Sequence, residues 1–288
     1  MPGVAVVTDT THYLPADVVA RHDLHLVSLY VNWAGRTDRE SDLPDYDAFY
    51  DHMRSATDLP STSQPSVGDF LAVYEPLLAA GKEVVSIHIA GGISGTCQAA
   101  RQARDQLQAD GRGGERIHVF DSRTGAGAQG LLVLAAGKAA AGGASGEEAL
   151  LAAEHARGSL KIWFAVDTLE YLRKGGRIGA AQALLGSALQ IKPILTLEEE
   201  ITPVERVRTS RRAFERMVEY ARERQQDGAG TWVVQHIQDP ETARKLVDEC
   251  RQVFGSDPVF VSEIGPVLGA HTGPGLLGIG GIATGELD

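Results

Sequence analysis

Cysteine is nearly absent from this chain: Cys97 and Cys250 are the only two. Two cysteines build neither a disulfide framework nor a cysteine-based metal site, and their scarcity fits a reducing compartment. A basic surplus is also missing. The net charge of −11 excludes a nucleic-acid scaffold, which needs cations to neutralise phosphates. No apolar run approaches the roughly 18 residues of a membrane span. Met1 to Thr11 has neither a basic n-region nor a long apolar stretch, so no secretory leader is expected and cytoplasm is the expected location. The Gly-Lys-Ser/Thr of a nucleotide phosphate loop does not occur. The nine histidines form no His-x-x-x-His pair, so neither a metal nor another cofactor is expected.

What is present reads as a packed globular protein. At 288 residues, with 43% hydrophobic and 23% charged residues, the chain fits one large domain or two of ordinary size. Strand patterns at Val4–Val7, Leu24–Val31, Val84–Ile89 and Ile117–Phe120 alternate with helical patterns. The helical patterns open at Pro15 and cover Asp45–Ala56, Asp69–Ala80, Thr96–Gln108 and Gly130–Ala141. This alternation predicts a parallel sheet wrapped by helices. The glycine-rich stretch at Gly142–Gly146 and the helix Glu147–Arg157 lead to an expected boundary near Gly158, dividing the chain into residues 1–158 and 159–288. Beyond it lie a strand at Ile162–Val166 and a helix at Gly179–Leu189. A hairpin of Ile194–Leu197 and Ile201–Val207 follows. Helices at Arg211–Gln225 and Pro240–Phe254 then mix with strands at Thr231–Ile237 and Val259–Glu263. The second half is therefore expected to be mixed α+β.

Two hydroxyl-rich loops stand out. Gly91-Gly92-Ile93-Ser94-Gly95-Thr96 joins a strand to a helix, where free first-turn amides and the dipole favour an anion. Thr96 serves equally as a plain N-cap. Thr62-Ser63-Gln64-Pro65-Ser66 is either a second head-group loop or an ordinary one whose Ser66 caps the next helix. Gly125-Ala126-Gly127-Ala128-Gln129-Gly130 matches a dinucleotide-binding fingerprint in letters only, because Asp121–Thr124 separate it from its strand. His271 sits in the glycine-rich Gly269-Ala270-His271-Thr272-Gly273-Pro274-Gly275, read as an accessible loop. Two basic patches, Lys174-Gly175-Gly176-Arg177 and Arg206-Val207-Arg208-Thr209, are either solvated charge or contacts for phosphate or an acidic partner. The alternative from another class is a hydrolase or acyltransferase with Ser94 as nucleophile and His271 and Asp9 as partners. Gly92-Ile93-Ser94-Gly95-Thr96, however, breaks the Gly-x-Ser-x-Gly elbow at its last position.

Together these segments resemble the DegV family, the fatty-acid-binding (FakB-type) subunits of bacterial fatty acid kinase. The matching stretches are Thr8–Thr11, Thr62–Ser66, Ser86–Ile89 running into Ile93–Thr96, Val166–Ile178, Ile191–Ile194, Arg208-Thr209 and His271–Gly275. They cover nearly the whole chain in order. The resemblance implies an N-terminal parallel α/β domain and a C-terminal mixed α/β domain with a long-chain fatty acid buried between them. It implies a carboxylate held by Thr62 (or Ser63), Ser94 and Gly95, with His271 in the same network. It places Arg177 and Arg208 (or Arg206) where a partner kinase and the phosphate approach. No catalytic residue and no metal ligand is implied in this chain. The implied partners are the kinase's ATP-binding subunit, a downstream acyltransferase and, transiently, a membrane surface. Ala90-Gly91-Gly92-Ile93 departs from the family's usual serines and leucine, and Cys97 replaces a common aromatic. Both changes bear on the shape of the tail pocket.

Overall fold

The computed structural model describes residues 3–55, 58–185 and 191–287. The chain enters through β1 (Val4–Asp9), α1 (Ala16–Arg21) and β2 (His25–Val27). A small unit follows: β3 (Tyr30–Trp33), β4 (Arg36–Arg39), α2 (Asp47–Ser55) and β5 (Ser61–Ser63). Then come α3 (Val67–Ala79), β6 (Glu83–His88), α4 (Thr96–Ala109), β7 (Ile117–Asp121), α5 (Ala126–Ala141) and α6 (Gly146–Ser159). Strands β2-β1-β6-β7 form a four-stranded, all-parallel sheet. The parallel α/β half expected from the alternation is therefore present.

The second half contains β8 (Lys161–Ala165), α7 (Glu170–Lys174), β9 (Lys192–Leu197) and β10 (Ile201–Val207). It continues with α8 (Ser210–Gln226), β11 (Ala229–His236), α9 (Pro240–Phe254), β12 (Phe260–Glu263), α10 (Pro266–Thr272) and β13 (Leu277–Ala283). Its six strands run β10-β9-β8-β13-β11-β12, with only β11 and β12 parallel. The boundary expected near Gly158 falls in the last turn of α6.

Helix α5 joins the two sheets. It is buried from Ala126 through Gly137 and shares one core with Val6, Val85 and Ile87 on one side and Val233 and Ile282 on the other. A helix apolar all round is stable only when covered all round, and its alanines and glycines let both sheets approach. Among the described residues no helix is long and apolar enough to cross a membrane.

Several elements differ from the sequence-based expectation. The single strand expected over 24–31 splits at Ser28-Leu29, where the Ser28 hydroxyl donates to Leu29 O and Leu29 N donates to Thr10 Oγ1. Its second part leaves the parallel sheet for the antiparallel trio β4-β3-β5. The loop expected at Thr62-Ser63 is the edge strand β5, paired with β3 at Thr62↔Val31. The helix expected over 179–189 is a 3-10 turn at Gly179–Leu184, and residues 186–190 lie outside those described. His271 lies on α10, a seven-residue helix.

A buried carboxyl group anchors α10. The Glu40 carboxylate accepts from Tyr13 OH (2.9 Å) and from Val267 N (2.8 Å) in the first turn of that helix. Burial pushes the Glu40 carboxyl up to about 7 from 4.5, against the pull of the donors Thr10, Val267 N–H and Tyr13. Between pH 4.5 and 7 the folded state therefore holds more protons than the unfolded chain, and stability falls as pH rises through that window. The loss amounts to about 3 kcal/mol. Replacing Glu40 by Gln removes the slope while keeping the acceptor. The variant is expected to match wild type at pH 5 and exceed it at pH 8 in urea unfolding, and equal stabilities at both pH values would contradict this account.

Candidate functional site

The two hydroxyl-rich loops meet. Ser66 caps α3 in a reciprocal box with Asp69, and Asp69 also accepts from Tyr30 OH (2.9 Å) and Arg39 (2.8 Å). That network fixes the stretch running from β5 into α3, and with it Thr62, Ser63 and Gln64. Opposite, the loop from β6 to α4 is held by its backbone. Ala90 N donates to Thr124 O (2.8 Å), and Gly91 N donates to the Asp121 carboxylate (3.1 and 3.2 Å). A Cβ on Gly95 would overlap the Gln64 side-chain amide, and one on Gly92 would overlap Glu199 O of the β9–β10 turn. Glycine at these two positions is what lets one loop touch both the other loop and the second sheet.

Thr62 and His271, 209 residues apart, share a hydrogen bond of 2.8 Å between Oγ1 and Nε2. His271 Nδ1 is buried, makes no hydrogen bond, and sits where a Cβ on Gly175 would be. A buried N–H without an acceptor costs more than a buried lone pair, so the proton belongs on Nε2. Nε2–H then donates to Thr62, whose own hydroxyl proton is free for a ligand. Burial, and after it the neighbouring Arg177 charge, holds the His271 imidazole down at about 4, so it is neutral at pH 7.

Ser94 Oγ lies 2.8 Å from Thr96 Oγ1 and accepts from Thr96 N (3.3 Å). Thr96 is therefore not the side-chain N-cap: Gly95 holds that position, and the Thr96 hydroxyl is turned to Ser94. Arg177 donates to Ile93 O (3.3 Å) and Gly175 O (2.8 Å), tying the basic patch after α7 to the Ser94 loop. Arg206 and Arg208 lie on β10 and just beyond it, exposed on either side of buried Val207. The structure does not bring them into the cavity that the other residues line.

That cavity, about 1010 Å³ with its open mouth, is lined at one end by Thr62, Ser63, Ser94, Gly95, Arg177 and His271. Its remaining wall is largely aliphatic and aromatic, with Ile162, Phe164 and Val233 far from the polar groups in sequence. Gln64, Gln235 and Thr272 also line it; the Thr272 hydroxyl donates to Leu268 O (2.9 Å), and the Gln235 amide accepts from Gly127 N and donates to Ser262 Oγ (2.9 Å). One polar end on an apolar channel suits a single-headed amphiphile.

The arrangement does not assemble a nucleophile. Ser94 bonds Thr96, His271 bonds Thr62, and Asp9 bonds His88, so the three groups a hydrolase would unite are each partnered elsewhere. A different Asp-His-Ser array exists: Asp9 Oδ2 to His88 Nδ1 (3.0 Å), His88 Nε2 to Ser86 Oγ (2.7 Å), and Ser86 onward to Tyr74 OH (2.7 Å). All four side chains are fully buried and none lines the cavity, so the array is a structural tie across the carboxyl ends of β1 and β6. The Asp9 carboxyl, which burial alone would raise, is held below its usual range by His88, Thr11 and the Ile89 N–H. Asp9 is a candidate hydrolase partner in sequence; its burial with His88 and Ser86 marks a tie rather than a site. Among the described residues no cluster of three His, Cys, Asp or Glu side chains is placed to hold a metal.

The charge state assigned to His271 has a direct readout. Its ring protons are expected to titrate near pH 4 in NMR, well below the ordinary 6.5. A midpoint near 6.5 would show that the ring is solvated and the clamp more open than described.

Known proteins resemble this chain along nearly its whole length. The family described as "Uncharacterised protein, DegV family" matches residues 3–284. Protein DegV of Bacillus subtilis is 35% identical over 279 residues, covering 96% of this chain and 98% of that one. A structure described as fatty acid binding of a DegV family protein from Thermus thermophilus superposes with a TM-score of 0.88 at 33% identity. That match covers 98% of this chain and 99% of the other. A stearic acid-binding protein from Eubacterium ventriosum gives a TM-score of 0.89 at 25% identity and 98% coverage of both chains. With the family matched almost end to end and the fold reproduced, this chain belongs to the DegV family.

Proposed function

We propose that this protein binds one long-chain fatty acid in its cavity and presents the carboxylate to a separate ATP-using kinase. The product, an acyl phosphate, stays bound until an acyltransferase takes it, and transient contact with a membrane surface accompanies loading. The observation that carries the reading is the single polar end of an otherwise apolar channel. Solved relatives described as binding fatty acids support it.

The energetics favour a carrier over an enzyme. A tail of about 14 methylenes gains on the order of 11 kcal/mol gross on burial, at about 0.8 each. Each hydrogen bond to the carboxylate contributes about 1.5–3 kcal/mol, part of which offsets desolvation. The tail therefore dominates affinity, while Thr62, Ser63, Ser94 and Gly95 orient the head group and neutral His271 aims the Thr62 hydroxyl. Arg177 is the nearby cation that balances the carboxylate and then the phosphoryl group. In this reading residues 1–158 supply the two clamp loops, residues 159–288 close over the acyl chain, and the protein works without a cofactor in the cytoplasm.

Denaturing mass spectrometry of the purified protein is expected to release about one fatty acid per chain, and Ser94→Ala to weaken binding about tenfold or more. A protein that takes up no fatty acid would overturn the reading, as would labelling of Ser94 by a fluorophosphonate. Arg206 on β10 and Arg208 just beyond it are exposed and make no ion pair among the described residues, which supports their assignment to a partner surface. Arg208→Ala is accordingly expected to retain its lipid while phosphorylation by the cognate kinase slows at least about tenfold. Lipid loss in that variant would assign Arg208 to the binding site instead.

A further inference from the structure

Strand β13 has an unusual inner face. It lies between β8 and β11, and its register sets Gly278 opposite Phe164 and Gln235, and Gly280 opposite Ile162 and Val233. Leu277 and Ile279 point the other way, into the core beneath α8 and α9. The face toward α5 therefore carries no side chain at two successive positions, whereas the strands on either side carry large ones. Glycine in a central strand weakens it, so a reason is needed.

One usual reason is close approach of a helix packed on the sheet, and the nearest atoms give no sign of it. A Cβ on Gly278 would first meet Phe164 Cβ (3.2 Å), Trp163 O (3.3 Å) and Leu276 Cδ2 (3.8 Å). One on Gly280 would first meet Lys161 O (3.3 Å) and the Ile162 side chain (3.4 and 3.5 Å). None of these atoms belongs to α5. The helix does come close one strand away, where a Cβ on Gly127 would lie 2.8 Å from Gln235 Oε1 and 3.0 Å from Val233 Cγ2. So α5 packs tightly over β11 at Gly127, while the atoms nearest an added Cβ on Gly278 or Gly280 belong to β8 and to Leu276 just ahead of β13. Neither glycine has a positive φ, so backbone geometry does not demand them either. What faces them is the cavity, which both line together with Ile162, Phe164, Val233 and Gln235.

We infer that Gly278 and Gly280 floor the acyl channel, that Ile282 ends it, and that these three positions set the longest fatty acid the protein accepts. The inference rests on the fatty-acid reading and specifies its tail end. With strands spaced about 4.8 Å apart, the side-chain rows of β8 and β11 stand roughly 9.6 Å apart, leaving a trough one strand wide. The trough begins just past α10, whose last turn carries His271, and runs about 6.8 Å from Gly278 to Gly280. The next residue on that face is Ile282, fully buried in the core that includes Leu131 of α5 and absent from the cavity wall. It closes the trough.

The test measures affinity for straight saturated fatty acids from dodecanoate to eicosanoate, with thermal melts of every variant. Gly280→Val is expected to fold, since valine suits a central strand, and to lose at least about tenfold affinity for the longest ligands while dodecanoate binds within about twofold of wild type. Gly278→Ala adds the smallest possible floor and serves if Gly280→Val does not fold. Ile282→Ala should move the optimum to longer chains. An unchanged length profile in a folded variant would overturn the inference, as would an equal loss at every length. Wild-type protein that binds none of the series would overturn the fatty-acid reading itself.

Discussion

The hydrogen bond between Thr62 and His271 closes this molecule's site from two distant parts of the chain. One partner sits on β5, an edge strand held by the Ser66–Asp69 cap and the side chains that reach it from β3 and β4. The other ends α10, whose start is pinned by Glu40 and Tyr13. Because His271 Nδ1 is buried against Gly175, the ring stays neutral and its one N–H goes to Thr62. The threonine proton is thereby left for whatever enters.

Glycine is the second constraint. It is used wherever two layers must touch: Gly95 under Gln64, Gly92 under Glu199, Gly175 under His271. In β13 its role is the reverse, leaving room by omission where Gly278 and Gly280 line the cavity. An apolar channel has to be made either by poor packing, which costs stability, or by leaving out side chains along one line. Two alternate glycines on a strand flanked by Phe164, Ile162, Val233 and Gln235 are the second solution.

Much of this was legible beforehand because it follows local grammar. The β6–loop–α4 crossover declares itself through an apolar run, glycines and hydroxyls, and a parallel sheet follows from such units, though not its strand order or register. The pairing of the two loops rested on family resemblance, since nothing local links residue 62 to residue 94. His271 was read as a loop because α10 spans less than two full turns between glycines, too little for helical periodicity to show. Strand β5 has three residues and no apolar alternation. Strand β13 is invisible in the sequence for the reason it matters: Gly278, Gly280 and Gly281 erase the pattern by which strands are recognised. The Asp9–His88–Ser86 array shows the opposite failure, in which catalytic residue types serve only to tie two strands.

The most direct measurement is a crystal structure of the protein with hexadecanoate. This account predicts the carboxylate within hydrogen-bond distance of Thr62 Oγ1 and Ser94 Oγ, with the tail running over Gly278 and Gly280 toward Ile282. A head group bound away from those hydroxyls, or a tail that leaves β13 uncovered, would contradict it.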